Sequence, residues 1–332
     1  MIKIAINGFG RIGRAAFRIA SAKKEIEIVA VNDLSDIGTL AHLLKYDSAY
    51  GVYDKEVDYN DEAIIVDGKS TRYISEKDPA KLPWKELGVD VVLECTGIFR
   101  KYEDAKKHLQ SGAKKVVLSA APKSEGIKTI VRGVNEGNYD SEKDDIISCA
   151  SCTTNCYAPL TKILHDNFTI ERGYMVTAHA ITNDQRVTDL VHKDLRRARS
   201  ILSNIIPTTS GSDKATVEVI PELEGKIHAM AMRVPILVGS VIYAIYDLKD
   251  KPSSNEVNKV MEKAASGEYK GIVKYEINPI VSSDIIGTTY STIYDSLLTE
   301  YSDDLIKVVA WYDNEWAYTN RLVEEVSLVM NK

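Results

Sequence analysis

Short runs of apolar residues alternate with polar or glycine-rich segments in the first half of the chain. Residues 2–6 form the first run and residues 26–31 the second. Further runs follow at 63–66, 89–94, 115–119, 127–131 and 146–149. Segments 14–22 and 102–111 lie between runs and have the apolar spacing of helices. Because strands alternate with helices, the pattern predicts an α/β domain with a doubly wound parallel sheet over residues 1–150.

The pattern changes after residue 150. Longer β-rich stretches occur at 173–180, 227–234, 240–248 and 305–312. Helical patterns are interleaved with them at 155–166, 212–220, 254–265 and 319–330. This mixture predicts a second domain of the α+β type. A chain of 332 residues is long enough for two domains.

Composition and charge then restrict the class of protein. The hydrophobic fraction of 44% and the charged fraction of 27% are ordinary for a globular protein. No apolar run reaches the roughly 18 residues that a membrane span needs, and the N-terminus enters a strand without the features of a signal peptide. The net charge of −6 favours neither nucleic acid nor a membrane surface as a partner. We therefore expect a cytoplasmic protein.

A glycine-rich loop joins the first strand to the first helix. Gly8 allows a tight turn, Gly10 allows a pyrophosphate to approach the backbone, and Gly13 allows helix and strand to pack closely. Asp33 ends the second strand, where a carboxylate accepts hydrogen bonds from ribose hydroxyls and repels a 2′-phosphate. The unit predicts dinucleotide binding, with NAD favoured over NADP. The alternative is that the glycines only shape a turn.

A cysteine motif opens the second half of the chain. Cys152 lies in Ser-Cys-Thr-Thr-Asn-Cys, and His179 follows about two dozen residues later. A thiol attacks a carbonyl at neutral pH when it is largely thiolate, which a nearby imidazole or a helix N-terminus favours. Together with a nicotinamide, such a thiol indicates oxidation of an aldehyde through a thioester. Because Cys149, Cys152 and Cys156 have the spacing C-x2-C-x3-C, metal or iron–sulfur binding is an alternative, although we expect no metal.

Six motifs in sequence order carry a wider resemblance. They are Asn7-Gly-Phe-Gly-Arg-Ile-Gly-Arg14, Ser151-Cys-Thr-Thr-Asn-Cys156, His179-Ala-Ile-Thr-Asn-Asp-Gln185, Asp194-Leu-Arg-Arg197, Arg233-Val-Pro235 and Trp311-Tyr-Asp-Asn-Glu315. With these motifs the chain resembles, from end to end, the phosphorylating glyceraldehyde-3-phosphate dehydrogenases of the bacterial and eukaryotic type. The resemblance implies a Rossmann NAD-binding domain at 1–150, a catalytic α+β domain with a mixed sheet at 151–314, and a C-terminal helix at 315–332 that returns to the first domain. It also implies a homotetramer, in which residues near 180–203 line a neighbouring subunit's cofactor site.

The resemblance implies a chemical sequence as well. Cys152 would attack the aldehyde of glyceraldehyde 3-phosphate to give a hemithioacetal. His179 would hold Cys152 as thiolate and would then take the hemithioacetal proton as hydride leaves for the nicotinamide. The backbone amide of Cys152 would help to hold the oxyanion. Inorganic phosphate would then attack the thioester and release 1,3-bisphosphoglycerate.

The implied ligand residues fall into three groups. For NAD they are Gly8, Gly10, Arg11, Ile12, Gly13, Asp33, Thr96, Gly97, Ser119, Asn314 and Tyr318. For the substrate's phosphate they are Thr182 and Arg233. For the attacking phosphate they are Ser151, Thr153, Ser210 and Gly211, with Arg197 close to both anions. The neighbouring Lys193 and Arg199 are interpreted as part of a solvated loop.

Three departures from the family pattern stand out. Ser210 replaces the usual threonine but keeps the hydroxyl, and Leu190-Val191 replaces the usual Leu-Pro. Residues 236–241 read Ile-Leu-Val-Gly-Ser-Val, where the family usually has Thr-Pro-Asn-Val-Ser-Val. Two other functions stay open at this point. One is an erythrose-4-phosphate dehydrogenase, and the other is a binding or redox-sensing protein that uses its reactive thiol as a switch.

Overall fold

The computed structural model describes residues 1–330. The chain divides into two compact units. Unit 1 contains residues 1–130, 137–150 and the chain from Thr319 onward, and unit 2 contains residues 131–136 and 151–318. The C-terminal helix predicted at 315–332 is observed as Trp316–Met330, and the last two positions of that prediction lie outside the described residues.

Unit 1 is built on a nine-stranded sheet with the order β10-β11-β9-β8-β1-β2-β7-β6-β5. The strands from β10 to β7 in this order are parallel, and β6 and β5 add an antiparallel edge. The strands of unit 1 are β1 Ile2–Asn7, β2 Ile26–Asn32, β3 Tyr46–Asp47, β4 Gly51–Val52, β5 Val57–Tyr59, β6 Ala63–Val66, β7 Lys69–Ile74, β8 Val91–Glu94, β9 Lys115–Leu118, β10 Lys128–Thr129 and β11 Ile146–Ser148. Of these, β3 and β4 are not part of the nine-stranded sheet and pair with each other in a two-stranded sheet. The helices are α1 Arg11–Ser21, α2 Ile37–Lys45, α3 Trp84–Leu87 and α4 Tyr102–Gln110.

The central parallel strands β1 and β8 of unit 1 are buried on both faces. Ile4, Ala5 and Ile6 in β1 have no exposed surface, and neither do Val92 and Leu93 in β8. Such continuous apolar runs are typical of parallel sheets, whose faces are both covered by helices. The runs that predicted these strands are therefore the core of the unit.

Unit 2 is built on a mixed, mainly antiparallel sheet with the order β13-β14-β12-β15-β19-β17-β16, to which β18 adds beside β19. Its strands are β12 Ile170–His179, β13 Ile206–Thr209, β14 Ile227–Arg233, β15 Ser240–Leu248, β16 Val273–Glu276, β17 Thr292–Asp295, β18 Glu300–Ser302 and β19 Leu305–Tyr312. Its helices are α5 Cys152–Phe168, α6 Ser212–Val219 and α7 Ser254–Ser266. The last helix, α8 Trp316–Met330, begins in unit 2 and belongs to unit 1 from Thr319 onward. One pair of central strands, β12 and β14, is parallel, so these two strands end at the same edge of the sheet.

The predicted fold class is confirmed, since unit 1 has the doubly wound parallel sheet and unit 2 the mixed sheet with helices. Three helix starts predicted from the apolar pattern were too late, and one of them is that of α8, which begins at Trp316 rather than at residue 319. Helix α1 begins at Arg11 rather than at residue 14, and α5 begins at Cys152 rather than at residue 155. In α5 the reason is a cap, because the Ser151 side chain accepts a hydrogen bond from the Thr154 amide. The earlier start places Cys152 in the first turn.

Several elements were not predicted, among them β7, α2, β16 and β17. They are short or only partly apolar, so their periodicity is weak. Within residues 1–330, no helix combines the length and the apolar character that crossing a bilayer requires.

Candidate active site

The glycine loop of unit 1 is shaped by two positions that exclude a side chain. Gly8 has φ +92°, and a Cβ there would lie 2.7 Å from the backbone nitrogen of Thr96. A Cβ on Gly13 would lie 2.1 Å from the Gly8 carbonyl oxygen. At Gly10, in contrast, a Cβ would meet open space. The loop is therefore closed on two sides, and its backbone is accessible at Gly10.

Asp33 is held as an anion beside this loop. Its Oδ2 accepts a hydrogen bond from the Phe9 amide at 2.7 Å, and its Oδ1 accepts one from the Ser35 amide at 2.9 Å. Desolvation alone would raise the pKa of this carboxyl, but the amide hydrogen bonds outweigh it and lower the pKa. The charge expected opposite a ribose is therefore present at neutral pH.

The carboxyl ends of β1, β8 and β9 meet at one edge of the sheet, because these strands are adjacent and parallel. Thr96 and Gly97 follow β8, and Ser119 follows β9. The Glu94 carboxylate fixes Thr96 by accepting hydrogen bonds from its amide, at 2.8 Å, and from its hydroxyl. In open α/β sheets, ligands bind at the carboxyl edge of the strands where the strand order reverses.

Two further residues predicted to bind the cofactor open helix α1. Arg11 and Ile12 occupy its first turn, directly after Gly10. The guanidinium of Arg11 forms an ion pair with Asp47 at 3.1 Å. The first amides of a helix have no carbonyl partner within it and carry partial positive charge, so they suit a pyrophosphate.

The thiol and the imidazole of unit 2 are in contact. Cys152 is the first residue of α5 and His179 is the last residue of β12. Cys152 Sγ lies 3.3 Å from His179 Nε2. The two motifs that the sequence separates by 27 positions therefore form one thiol–imidazole pair.

Arg233 joins this pair through strand register. In the parallel ladder of β12 and β14, His179 is opposite Arg233, and both residues end their strands. Arg233 Nη1 lies 2.7 Å from His179 Nδ1 and 3.2 Å from the Ala180 carbonyl oxygen. His179 Nδ1 also lies 2.7 Å from that oxygen. A guanidinium can only donate, so a neutral imidazole either accepts from Arg233 at Nδ1 or donates from Nδ1 to Ala180.

The electrostatics favour a neutral pair before substrate binds. Desolvation raises the pKa of the Cys152 thiol, while the charge of Arg233 and the hydrogen bonds from Thr153 act in the opposite direction. Desolvation also lowers the pKa of His179, to about 3, and Arg233 adds to this effect. The sequence predicted that His179 and the helix N-terminus would hold Cys152 as a thiolate, whereas in the structure the pKa of the thiol is raised and that of the imidazole is lowered. The reason is that both ions would lose hydration, and a fixed positive charge already stands beside the imidazole.

Tyr312 is a residue of this site to which the sequence assigned no role. Its hydroxyl lies 2.9 Å from Thr153 Oγ1 and 2.8 Å from Thr177 Oγ1. Its ring packs edge-on against the His179 ring, with 6.0 Å between centroids. Tyr312 therefore supports both neighbours of the thiol. It belongs to the motif at 311–315, which is the only signal that could have indicated it.

The predicted ligands of the substrate's phosphate are placed on two segments. Arg233 ends β14, and its Nε is buried without a partner among the described residues. Thr182 lies just beyond β12, where its amide and hydroxyl donate to Gln185 Oε1 at 2.8 and 2.9 Å. Gln185 Nε2 is likewise buried and unpaired within residues 1–330. The sequence did not single out Gln185.

Arg197 is the second arginine of the region. It donates to Asp184 at 2.5 Å and to Thr208 Oγ1 at 2.8 Å. Its charge contributes to the lowered pKa of both His179 and Arg233, so it acts on the thiol–imidazole pair electrostatically. Asp194 lies 3.6 Å from Arg197 Nε, so two carboxylates offset part of its charge.

The remaining predicted residues begin or flank helices. Ser151 caps α5, and Thr153 follows the thiol. Ser210 Oγ donates to Ser212 Oγ at 3.0 Å, and Gly211 is the N-terminal cap of α6. Asn314 follows β19, and Tyr318 lies in the first turn of α8; both side chains are buried.

The cysteine cluster is not arranged as a metal site. Cys149 and Cys156 are buried, whereas Cys95 and Cys152 are partly exposed. Across the described residues, no three His, Cys, Asp or Glu side chains are grouped so that they could hold a metal ion.

Comparisons with known proteins agree with this arrangement. The family model for the NAD binding domain of glyceraldehyde 3-phosphate dehydrogenase matches residues 2–102, and the model for the C-terminal domain of the same enzyme matches residues 151–314. The glyceraldehyde-3-phosphate dehydrogenase of Geobacillus stearothermophilus is 52% identical over 332 residues, covering 100% of this chain and 99% of the relative. Those of Streptomyces coelicolor and Thermotoga maritima are each 52% identical, and at least 99% of every chain is covered.

This chain belongs to the glyceraldehyde-3-phosphate dehydrogenase family. It is therefore an NAD-dependent oxidoreductase that acts on glyceraldehyde 3-phosphate, and the predicted family, enzyme class and cofactor are confirmed. The erythrose-4-phosphate dehydrogenase alternative is not favoured. The relatives of about 50% identity match this chain over their full length, and they are named glyceraldehyde-3-phosphate dehydrogenases.

Proposed function

We propose that this member of the glyceraldehyde-3-phosphate dehydrogenase family couples oxidation of D-glyceraldehyde 3-phosphate to its phosphorylation, with Cys152 as nucleophile and His179 as general base. The observation that carries the proposal is the contact of 3.3 Å between Cys152 Sγ and His179 Nε2. The neutral imidazole is in the protonation state that can accept a proton, since its pKa is lowered to about 3.

The residues of unit 1 fit a dinucleotide. Backbone amides at the start of α1 would hold the pyrophosphate, because the surface at Gly10 is open and the close packing at Gly8 and Gly13 fixes the shape of the loop. Asp33 would accept the ribose hydroxyls. We assign the following residues to NAD: Gly8, Gly10, Arg11, Ile12, Gly13, Asp33, Thr96, Gly97, Ser119, Asn314 and Tyr318. When bound, NAD accepts the hydride that the substrate carbon loses.

Acylation begins at the thiol. As Cys152 Sγ forms a bond to the aldehyde carbon, His179 Nε2 takes the thiol proton. For this step Nδ1 must carry the other proton, which it donates to the Ala180 carbonyl oxygen at 2.7 Å. The substrate oxygen becomes negative and is stabilised by the Cys152 amide, one of the N-terminal amides of α5. Loss of hydride from the same carbon leaves a thioester on Cys152, and the proton on His179 is released to solvent.

Deacylation requires a second anion. An oxygen of inorganic phosphate bonds to the thioester carbon and the carbon–sulfur bond breaks. The leaving Cys152 sulfur takes up the proton that the phosphate loses, which restores the thiol. Ser151, Thr153, Ser210 and Gly211 would hold this phosphate together with Arg197. Thr182 and Arg233 would hold the phosphate that the substrate carries. The buried, unpaired Nε of Arg233 supports its assignment, because an anion would supply the missing partner.

A homotetramer is also part of the proposal. Apolar side chains are exposed within residues 180–203, namely Val187, Leu190, Val191, Leu195 and Leu202. A cluster of this kind favours coverage by a second subunit. Light scattering of the purified protein tests the assembly: a mass of four chains is expected, and a monomer at micromolar concentration would contradict it. The cytoplasmic location remains a prediction from the sequence.

Trapping of the acyl-enzyme tests the proposed chemistry. The protein is mixed with NAD and glyceraldehyde 3-phosphate without inorganic phosphate, and its intact mass is measured before and after phosphate is added. We expect one acyl group per chain on the peptide that contains Cys152, and its removal by phosphate. Acylation at another residue, or an adduct that phosphate does not remove, would contradict the mechanism.

A further inference from the structure

The segment 236–241 departs from the family pattern, and its backbone has an unusual shape at one residue. Gly239 has φ +97°, and a Cβ there would lie 2.5 Å from the Ser282 carbonyl oxygen. Any side chain would therefore be strained in conformation and would also clash. In this conformation the Gly239 amide donates to Asn314 Oδ1 at 3.1 Å.

Ser240 follows as the first residue of β15 and is 1% exposed. Its hydroxyl donates to Asn314 Oδ1 at 3.0 Å and accepts from the Ala180 amide at 3.1 Å. One side chain therefore connects Ala180, which follows the catalytic histidine, with Asn314, which follows β19.

These contacts fix which way the Asn314 side chain faces. Its Oδ1 accepts two hydrogen bonds, from Gly239 and from Ser240, and Asn314 is 4% exposed. If the amide flipped, its NH₂ group would face two donors in a buried site, which is costly. The Nδ2 group of Asn314 therefore points away from Gly239 and Ser240.

The same hydroxyl acts on the histidine. Ala180 is held at its amide by Ser240, and its carbonyl oxygen lies 2.7 Å from His179 Nδ1. The Ala180 backbone is therefore held at both of its polar groups. Its carbonyl oxygen is the acceptor for Nδ1–H in the imidazole tautomer that proton transfer at Nε2 needs, and in that tautomer Arg233 Nη1 donates to the same oxygen, at 3.2 Å.

We propose that Gly239 and Ser240 form a positioning clamp, in which Ser240 orients the Asn314 amide for the nicotinamide carboxamide and fixes the Ala180 carbonyl that orients His179. Ser240 is a positioning residue, since it acts through Asn314 and Ala180. The proposal rests on the roles of Asn314 and His179 in the proposed function. It also explains why a glycine stands at position 239, because a residue with a side chain would be strained in the conformation from which the Gly239 amide donates to Asn314.

Four proteins test the clamp: wild type, Ser240→Ala, Asn314→Ala and the double variant. NAD affinity is measured by calorimetry, and the rate of Cys152 alkylation by iodoacetamide is measured against pH in the cofactor-free protein. We expect Ser240→Ala to weaken NAD binding about tenfold, because it removes one of two donors to a buried oxygen. The double variant should bind NAD no more weakly than Asn314→Ala, because both changes act through one side chain.

Alkylation separates the two halves of the clamp. Ser240→Ala should change its pH profile, because Ala180 is released, whereas Asn314→Ala should leave the profile unchanged. Ser240→Thr, which keeps the hydroxyl, should restore both properties. If Ser240→Ala does not fold, Ser240→Cys replaces it, since a thiol of similar size is a weaker donor.

Two results would overturn the clamp: additive losses of NAD affinity in the double variant, or a Ser240→Ala protein with wild-type affinity and alkylation. A failure of the underlying assignment looks different. If Asn314→Ala alone leaves NAD affinity unchanged, Asn314 is not a cofactor ligand. In that case both the assignment of Asn314 to NAD and the proposed effect of Ser240 on Asn314 are wrong.

Discussion

The glycine loop of unit 1 and the thiol site of unit 2 are built from different parts of the chain. In the loop, Gly8 and Gly13 act by having no side chain, so backbone amides and open space form the surface. In the thiol site, side chains of four elements meet: Cys152 from α5, His179 from β12, Arg233 from β14 and Tyr312 from β19. A backbone site should therefore fail when atoms are added, whereas a side-chain site should fail when functional groups are removed.

The most damaging change in the side-chain site is Cys152→Ser. A hydroxyl is far less acidic than even a thiol of raised pKa, so attack on the aldehyde should be lost. We expect kcat to fall about 10⁴-fold or more in a steady-state assay. The thermal unfolding temperature should stay close to that of wild type, and turnover within tenfold of wild type would show that Cys152 is not the nucleophile.

His179→Asn should rank second, with a loss of about 10²–10⁴-fold in kcat. Alkylation of the wild-type thiol should accelerate as pH rises, because its pKa is raised and the thiolate is the reactive form. In the variant we expect slower alkylation at neutral pH, since Sγ loses its contact with Nε2. If alkylation is unchanged, another group activates the thiol.

Arg233→Ala should discriminate between substrates. If Arg233 binds the substrate's phosphate, loss of this half-buried charge should reduce kcat/KM for glyceraldehyde 3-phosphate about 10²-fold. Unphosphorylated glyceraldehyde is the control substrate, and its smaller loss should reflect only the contact with His179. An equal loss for both aldehydes would mean that Arg233 does not hold the substrate's phosphate.

The smallest effects are expected in the glycine loop, where two variants form a matched pair. Gly8→Ala should weaken NAD binding and also destabilise the fold by about 1–3 kcal/mol, because an alanine at this φ is strained and its Cβ would clash with Thr96. Gly10→Ala should weaken binding about tenfold with little change in stability, since its Cβ points into open space. Calorimetric titration and thermal unfolding measure the two properties. If Gly10→Ala binds NAD with wild-type affinity, the pyrophosphate does not contact the backbone at Gly10.

The difference between the two sites also explains what the sequence could predict. Gly8, Gly10 and Gly13 lie within six positions after a strand, so their roles follow from local order. The pairing of Cys152 with His179, which lie 27 positions apart, was expected from the chemistry of a thiol and an imidazole and from the resemblance to a known family. The contacts of Tyr312, Gly239 and Ser240 depend on which strands pair and in which register, and a single sequence does not specify those long-range choices.

The direction of the pKa shift of the Cys152 thiol could not be predicted from the sequence for a related reason. A helix N-terminus and a nearby imidazole both favour a thiolate, and both features could be inferred from the motif. Desolvation acts in the opposite direction on Cys152, and its strength depends on the packing of all surrounding elements. The sign of the pKa shift therefore became clear only from the structure.

The central claim is that oxidation and phosphorylation are coupled through a Cys152 thioester. The most direct test follows NADH formation from NAD and glyceraldehyde 3-phosphate, with and without inorganic phosphate or arsenate. We predict sustained turnover only when one of these anions is present. A single burst of NADH equal to the enzyme concentration, unaffected by either anion, would show acylation without phosphorolysis and would contradict the account.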